Sequence, residues 1–343
     1  MLSRLAERMY RLGRYVEHAE NLTRLLDVNH RMSLELNLFS DLDVWSPMIA
    51  VTRAEKRFAE TFEEVNEANV YQFLVLSEDN PHSVVSCIRA AREEARTMRE
   101  RISEEMWRSL NEMYLTLRDI DDLTDLTPVG NSAFNARVQQ FCNAFHGLTD
   151  NTMVRSESWN FLRLGRFIER AVMTCRILEV KHHLVPPRGS ADQAASVDLH
   201  QWEALLRSVS GYEAYRRLFR ARIVPPRVID LLVTNPRFPR SVRYSLGQLH
   251  AALTNLANQS PVSRELSQSV ERLINDLDEG VVGERILRRG LKPEMAAWEH
   301  QIRIGEALIS QTFFDVLTVF APDGRERTIA MQHPQQQQQQ ERR

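Results

Sequence analysis

The segment RLGRYVEHAENLTRLLDVNHRM, residues 11–32, recurs as RLGRFIERAVMTCRILEVKHHL, residues 163–184. Ten of the 22 aligned positions are identical at an offset of 152, including the opening Arg-Leu-Gly-Arg. Apolar residues recur in both segments every three or four positions, the period of an amphipathic helix. Self-similarity of this length indicates two copies of one helical unit.

A second pair of segments supports the duplication. NPHSV at 80–84 is similar to FPRSV at 238–242, at an offset of 158, and each places a Pro two residues before Ser-Val. Both matches occur in the same order at nearly the same spacing. They predict two pseudo-twofold-related copies of a multi-helix unit, residues 1–150 and 151–320, packed as one body or as two touching lobes.

The composition favours an all-α helical bundle. The 343 residues are 43% hydrophobic and 26% charged, which is typical of a globular chain, and they include only 12 Gly and 13 Pro. Few turn-forming residues indicate long helices, and no run alternates with the period of a strand. The predicted helices cover about 2–38, 48–59, 61–77, 81–101, 103–117, 132–146, 153–184, 200–221, 225–234, 239–257, 261–278, 281–288 and 293–317, with connections at 41–47 and 124–131, a linker at 185–196 and a disordered Gln-rich tail at 321–343.

The net charge and the cysteines limit the ligand classes and the cellular compartment that fit this chain. The net charge of −2 gives no global attraction to nucleic acid or to an anionic membrane. The three cysteines, Cys87, Cys142 and Cys175, are far apart, which is typical of a reducing compartment rather than a disulfide framework. Neither a signal-peptide core nor an apolar run of about 18 residues is present. We therefore expect a cytoplasmic protein that binds neither nucleic acid nor membrane.

The repeat helices carry charges on a face that the sequence predicts to be buried. Gly13, Glu17 and Arg24 share one side of the first helix, and Gly165, Glu169 and Arg176 share the same side of the second. The second helix is apolar nearly all round, which indicates burial, and buried charges need partners. A pseudo-twofold would pair Glu17 with Arg176 and Glu169 with Arg24. The two glycines would let the backbones approach closely.

Two interpretations of this face remain open. The charged side chains could form a polar site for a carboxylate, phosphate or amine, with Glu17 and Glu169 as catalytic candidates, or a structural ion-pair network that joins the two copies. Arg240 and Ser241, at a predicted helix start, could bind an anion or could simply form a helix cap. The binding candidates are Arg14, Glu17, Arg24, Arg166, Glu169, Arg170, Arg176, Arg240 and Ser241.

The sequence contains no catalytic or cofactor signature that we can identify. The phosphate-binding loop, the dinucleotide fingerprint, His-Glu-x-x-His and Gly-x-Ser-x-Gly do not occur. The cysteines lack zinc spacing, and Cys175 on an apolar helix is more typical of a core residue than of a nucleophile. We therefore expect no cofactor and no metal, and an enzymatic role stays open.

The sequence resembles the bacterial alpha-E family, a helical family with a recurring Glu-Arg motif. The resemblance rests on MLSRLAERMYRLGRYVEHAENLTRLLDV (1–28), NPHSVVSCIRAAREEARTMRERISEEMW (80–107), FLRLGRFIERAVMTCRIL (161–178) and NPRFPRSVRYSL (235–246), and covers about residues 1–320. The motif is intact at Glu169-Arg170, but the first copy has Glu17-His18.

The resemblance implies a context rather than a mechanism. Family members look like companions of an ATP-grasp-type ligase and of a transglutaminase-like protein, which implies amide-bond formation on a peptide or small metabolite. Our first hypothesis is an accessory protein that binds the ligase, its substrate or both. The alternatives are a helical enzyme that acts through Glu17 and Glu169, and a purely structural adaptor.

Overall fold

The computed structural model describes residues 3–35, 40–118, 128–180, 191–220, 222–256, 261–278, 281–314, 316–320 and 326–330. Almost all of the described chain is helical, so the prediction of an all-α fold is confirmed. The α-helices are α1 (Ser3–Glu35), α2 (Asp41–Thr52), α3 (Glu55–Thr61), α4 (Glu67–Tyr71), α5 (Val84–Thr97), α6 (Glu104–Arg118), α7 (Pro128–Thr152), α8 (Glu157–Val180), α9 (Ala191–Ser208), α10 (Tyr212–Phe219), α11 (Pro225–Ile229), α12 (Val242–Leu256), α13 (Pro261–Asp278), α14 (Val281–Arg289) and α15 (Leu291–Phe313).

The two helices that carry the repeated sequence form the centre of the molecule. Helix α1 packs against α8, and the pair is enclosed by α5 and α7 on the α1 side and by α12 and α15 on the α8 side. Every side chain from Leu12 to Thr23 is buried, and so is nearly every one from Asn160 to Val180. The polar residues of these helices are therefore interior groups that need internal partners.

The flanking elements follow the same order in both halves of the chain. A π-helical turn at Gln72–Leu76 continues α4, and another at Asp230–Thr234 continues α11. Each is followed by a buried serine, Ser83 or Ser241, whose hydroxyl accepts a hydrogen bond from the backbone N–H three residues later. Helix α6 packs on α5 and α7, and α13 packs on α12 and α15.

Three predicted connections overlap helices in the structure, and residues 124–127 of the second lie outside the described residues. Residues 41–47 begin helix α2, because Ser40 and Asp43 form a reciprocal capping box before it and Pro47 fits within the helix. Pro128 starts α7 inside the predicted loop 124–131, as its fixed φ and missing N–H suit a helix start. Helix α9 starts at Ala191, inside the predicted linker 185–196, whose residues 185–190 lie outside the described residues.

The end of the chain also differs from the prediction. Two antiparallel strands follow α15, β1 (Val316–Phe320) and β2 (Glu326–Ala330), with Val316 opposite Ala330. β2 corrects the disordered tail predicted from 321 onward, because the β-branched residues of VLTVF and ERTIA favour a strand. Residues 331–343 lie outside the described residues. Among the described helices, none combines the length and the apolarity required to cross a bilayer.

Candidate functional site

The site begins where α1 and α8 touch backbone to backbone. A Cβ atom at Gly13 would lie 2.1 Å from the carbonyl oxygen of Leu162, and one at Gly165 would lie 1.9 Å from that of Tyr10. Any side chain at either glycine would force the helices apart. The expected close approach at these two glycines is thus confirmed, and it brings the charged residues that follow each glycine together.

Glu17 is fully buried and is held by the opposite helix. Arg170 donates from Nε to Oε1 at 2.8 Å and from Nη2 to Oε2 at 2.6 Å, a bidentate pair. Asn21 donates to Oε1 at 3.1 Å. Burial opposes ionisation of Glu17, but the positive charges of Arg170 and Arg240 outweigh it and hold the pKa of this carboxyl well below its usual range.

Glu20, one turn further along α1, extends the cluster. Its carboxylate accepts hydrogen bonds from Arg240 and, at 2.6 Å, from Nη2 of Arg24. Arg240 also donates to Oδ1 of Asn21 at 2.6 Å and lies 3.5 Å from Glu17. Burial opposes ionisation of Glu20 too, and the charge of Arg240 nevertheless lowers its pKa.

The same arrangement recurs around Glu169 with the helices exchanged. Arg14 donates to Oε2 of Glu169 from Nη2 at 2.6 Å and from Nε at 3.1 Å, and Nδ1 of His18 lies 2.7 Å from Oε1. Arg14 also pairs with Glu306, which accepts a hydrogen bond from Tyr10 at 3.0 Å. Burial opposes ionisation of Glu169, but Arg14 and His18 lower the pKa of its carboxyl.

The predicted pairing of Glu17 with Arg176 and of Glu169 with Arg24 is wrong. Arg24 lies eleven residues beyond Gly13, about 16 Å further along the helix than the point of closest contact with α8. It binds Glu20 of its own helix and, from Nη1 at 2.6 Å, Ser210. Arg176 instead donates to Glu299 at 2.7 Å and to the carbonyl of Val51 at 3.1 Å.

Arg166 and Ser241 have different roles. Arg166 lies 3.7 Å from both Glu17 and Asp150, and its buried Nε has no hydrogen-bond acceptor among the described residues. Burial and, after it, the positive charge of the neighbouring Arg170 lower the pKa of Arg166 to about 10. The Ser241 hydroxyl accepts from the N–H of Tyr244 at 2.9 Å and donates to the carbonyl of Asn235 at 2.5 Å. It is therefore occupied as a helix cap.

One group of buried residues has the donor atoms of a metal site. Nε2 of His146 lies 3.3 Å from Oε2 of Glu17 and 3.3 Å from Oε2 of Glu20. The guanidinium groups of Arg24, Arg166, Arg170 and Arg240 lie within 4 Å of these two carboxylates. Four positive charges already exceed two negative ones, and a divalent cation would increase the excess in a medium of low dielectric constant. The charge balance therefore disfavours a metal here.

A small cavity borders the Glu169 cluster. It has a volume of about 30 Å³ and is lined by residues from both halves, including Tyr10, His18, His82, Cys87 and Phe314. The rings of His18 and His82 lie 5.6 Å apart, and burial together with His18 lowers the pKa of His82 to about 3. A space of this size admits a water molecule or two but no peptide substrate.

Sequence reasoning missed the partners that come from outside the repeat helices. These are Arg53, His146, Glu299 and Glu306. Glu299 and Glu306 lie seven residues apart on α15, among apolar neighbours that are themselves buried. That spacing places them on one helix face and was a signal that they accompany the core.

Comparison with known proteins gives a family and no function. A family model described as a predicted alpha-helical domain with a conserved ER motif matches residues 1–314. Uncharacterized proteins of Mycobacterium bovis and Mycobacterium tuberculosis are 23% identical over 292 residues, covering 80% of this chain and 32% of each relative. The chain thus spans about a third of the length of these curated relatives. No solved structure matches the chain.

Proposed function

This chain belongs to the Alpha-E family, and from that premise we propose that it is a non-catalytic accessory protein of an ATP-grasp-type ligase that forms amide bonds. It would bind the ligase, the ligase's peptide or small-molecule substrate, or both. A transglutaminase-like protein is a second expected partner. The family resemblance supplies these partner classes, and the geometry supplies the argument for a non-catalytic role.

The observation that carries the proposal is the saturation of the two candidate catalytic carboxylates. Glu17 and Glu169 expose 0% and 3% of their surface, and each is bound by at least one arginine and a second cationic or polar group. A general acid or base must titrate near the working pH and must reach its substrate. Both pKa values are lowered instead, and the cavity beside Glu169 is too small for a peptide substrate.

The lengths of the relatives support a role alongside other domains. In the mycobacterial relatives the matched region is only 32% of the chain. The same kind of helical unit is there joined to a much longer polypeptide. A unit that occurs within larger chains fits a module that works with a partner.

We further propose that the molecule consists of two pseudo-twofold copies, 1–150 and 151–320. Supporting this, Gly13 meets Leu162 as Gly165 meets Tyr10, and both pairs are related by the offset of 152. Likewise the partner of Glu169 is His18, and the partner of Glu17 is Arg170, at the equivalent position. Contacts of residue i with j and of j with i are the mark of a twofold interface.

The proposed location is the cytoplasm. Cys87, Cys142 and Cys175 are all buried, and none of them forms a disulfide with another described residue. Burial raises the pKa of Cys142 and of Cys175 above the ordinary thiol value. Buried cysteines outside disulfides are typical of proteins kept in a reducing compartment.

The test is a binding and rate measurement with a purified ATP-grasp-type ligase of the class proposed as the partner. We expect a stable complex by size-exclusion chromatography with light scattering, and a changed ligase rate or substrate preference when the complex forms. The same substrates are incubated with this protein alone. Turnover without the ligase, together with the absence of a complex, would contradict the accessory role and would favour the enzyme alternative.

A further inference from the structure

The two halves differ in the carboxylates that lie beside one pair of equivalent arginines, Arg11 and Arg163. In α1, Arg11 lies 3.6 Å from Glu7 and 3.7 Å from Glu94 of helix α5. At the offset of 152, Arg11 corresponds to Arg163 and Glu7 to Trp159; at the offset of 158, Glu94 corresponds to Ala252. The second half thus keeps the arginine, and both positions that supply its carboxylates are occupied by uncharged residues.

In the part of the chain that the structure describes, no carboxylate lies within 4 Å of Arg163, and Asp150 acts on it only from a greater distance. It is 9% exposed and donates to the side-chain oxygen of Gln248, and its guanidinium stacks 4.3 Å from the ring of Trp159. Arg155 stacks on the same indole at 4.2 Å. Burial lowers the pKa of Arg163, as expected for a guanidinium that lacks a close counter-ion.

Arg166 extends this positive surface one turn along the helix. The guanidinium carbons of Arg163 and Arg166 lie 5.5 Å and 5.3 Å from the centre of the Phe167 ring. The charge of Asp150 acts on both guanidinium groups, so they share one neighbourhood. Within the described residues, the only acids that lie within 4 Å of the three arginines are Asp150, at 3.7 Å from Arg166 and 4.0 Å from Arg155, and Glu17, already bound bidentately by Arg170.

We infer that Arg163 and Arg166, with Arg155 and Trp159 beside them, form a binding site for the carboxylate of a peptide. The reason for a carboxylate is internal to the molecule: glutamate side chains occupy the equivalent place beside Arg11. A guanidinium with free N–H groups binds a carboxylate with two parallel hydrogen bonds. The inference rests on the proposed function and specifies its substrate, an acidic peptide that this protein presents to the ligase.

The test is calorimetric titration of the full-length protein with three probes. They are N-acetyl-Gly-Glu with both carboxylates free, its neutral counterpart N-acetyl-Gly-Gln amide, and inorganic phosphate. We expect binding of the acidic peptide, at least about tenfold weaker binding of the neutral one, and an affinity that falls as salt is added. Tighter binding of phosphate than of the acidic peptide would overturn the assignment to a carboxylate.

The variants Arg163→Met and Arg166→Met are each expected to lower the affinity for the acidic peptide by about tenfold or more. Arg11→Met is the matched control, because it removes the equivalent arginine from the half where glutamates already accompany it, and should leave the affinity unchanged. If Arg166→Met does not fold, Arg163→Gln alone decides, since Arg163 lies outside the Glu17 cluster.

Equal affinity for the acidic and neutral peptides, or unchanged affinity in the Arg163 variants, would overturn the site. Absence of binding up to the order of 10 mM, about 2.7 kcal/mol of binding free energy, would overturn it as well. These measurements use the protein without the ligase. If the acidic peptide does not bind, the carboxylate site is excluded, but the proposed complex with the ligase is still tested independently by its own binding measurement.

Discussion

The fully buried carboxylate of Glu17 is tolerated because three kinds of partner share its two oxygens. Transferring an ion from water into a protein interior costs several kcal/mol, and only close, well-oriented partners offset that cost. Arg170 provides the bidentate pair, Asn21 a neutral donor and Arg240 a further charge at 3.5 Å. Removing one member therefore leaves its partners as uncompensated buried charges.

Glu17→Gln should lower the free energy of unfolding by about 3–5 kcal/mol, because Arg170 and Arg240 lose their counter-charge in the interior. The measurement is equilibrium urea denaturation. Glu104→Gln is the matched control: Glu104 also pairs with an arginine, Arg108 at 2.7 Å, but both side chains are at least 70% exposed. That substitution should cost no more than about 0.5 kcal/mol. Similar losses in the two variants would contradict burial of the Glu17 charge.

A double-mutant cycle separates the energy of the interaction between Glu17 and Arg170 from the contribution that each side chain makes through packing. Arg170→Met should be strongly destabilising in the native sequence and much less so when Glu17 is already Gln. The expected coupling is about 1–3 kcal/mol, the range for residues in direct contact. Additive losses in urea denaturation would mean that the two residues act independently.

His82 should make the protein sensitive to mild acid. Its pKa is about 3 in the folded protein and 6.5 in the unfolded chain, so the unfolded state binds the extra proton. The stabilisation is fully present above pH 6.5 and is lost as the pH falls from 6.5 toward 3, with a slope of about 1.4 kcal/mol per pH unit at most. His18, Arg14, Glu169 and Arg176 are the charged or titratable groups that act on it.

The check is the free energy of unfolding measured by urea at several pH values between 6.5 and 4.5. His82→Asn should flatten the slope over this range. The carboxylates with lowered pKa, such as Glu299 at about 2, lose their stabilising effect only below about pH 4.5. A slope that persists unchanged in His82→Asn would assign the acid sensitivity to other groups.

At the scale of the element, the decisive feature is the contact of α1 with α8. Two helices usually pack with their axes 8–10 Å apart, separated by side chains. Here Gly13 and Gly165 place backbone against backbone. This contact fixes the register of the two helices, and the register decides which guanidinium reaches which carboxylate.

Gly13→Ala and Gly165→Ala should each destabilise the protein by about 1–3 kcal/mol or more, because the new methyl group would overlap a backbone carbonyl and force the helices apart. Gly147→Ala in α7 is the control. No atom lies within 4 Å of the Cβ position there, so replacing this flexible helical residue by alanine should raise the free energy of unfolding by about 0.4–1 kcal/mol. A lower free energy of unfolding in the first two variants and a higher one in Gly147→Ala, measured by urea denaturation, would support the contact. An equal decrease in all three variants would contradict it.

Helical periodicity was sufficient to predict α1 and α8, and it predicted the burial of α8, since a helix that is apolar nearly all round has no solvent-facing side. It also identified Gly13 and Gly165, because an interior glycine repeated at one position needs a packing reason. It did not identify the pairing. Which arginine meets Glu17 depends on where the helices cross and how they diverge, and neither is encoded in a single helix.

The pairing of the repeat-helix charges with residues of distant helices was unpredictable for a similar reason. Glu306 lies 292 residues from Arg14, and Arg240 lies 220 residues from Glu20. No local pattern links such positions; only the complete packing of α15 and of the α12 start brings them into the core. The helix starts at Asp41 and Pro128 were, by contrast, within reach of capping rules applied more strictly.

At the scale of the whole molecule, the ion-pair network of Glu17, Glu20, Glu169, Arg14, Arg170 and Arg240 belongs to neither half alone. Glu17 finds Arg170 and Glu169 finds Arg14 only when the two halves are together. Each half in isolation would expose apolar helix faces to water. The charges that are buried in the intact protein would lose their ion-pair partners. Folding should therefore be cooperative across the entire chain.

Fragments 1–150 and 151–320, expressed separately, should each lack a cooperative urea transition by circular dichroism, and mixing them should restore one. The physical reason is that the charged faces of α1 and α8 are buried against each other, and Glu17 and Glu169 find their arginine partners across this contact. Cooperative folding of either fragment alone would contradict this expectation. Coincident transitions by circular dichroism and fluorescence in the intact protein are the accompanying control.

The buried ion pairs affect how the stability of the protein changes with temperature. The hydration of charged groups becomes less favourable on warming, so the cost of keeping these guanidinium and carboxylate groups dehydrated shrinks as the temperature rises. Stabilisation by apolar burial does not gain in the same way. A centre in which Arg14, Glu17, Glu169 and Arg170 are all at most 8% exposed should therefore contribute proportionally more to stability in hot solution than in cold, and substitutions at these positions should be most damaging near the melting temperature.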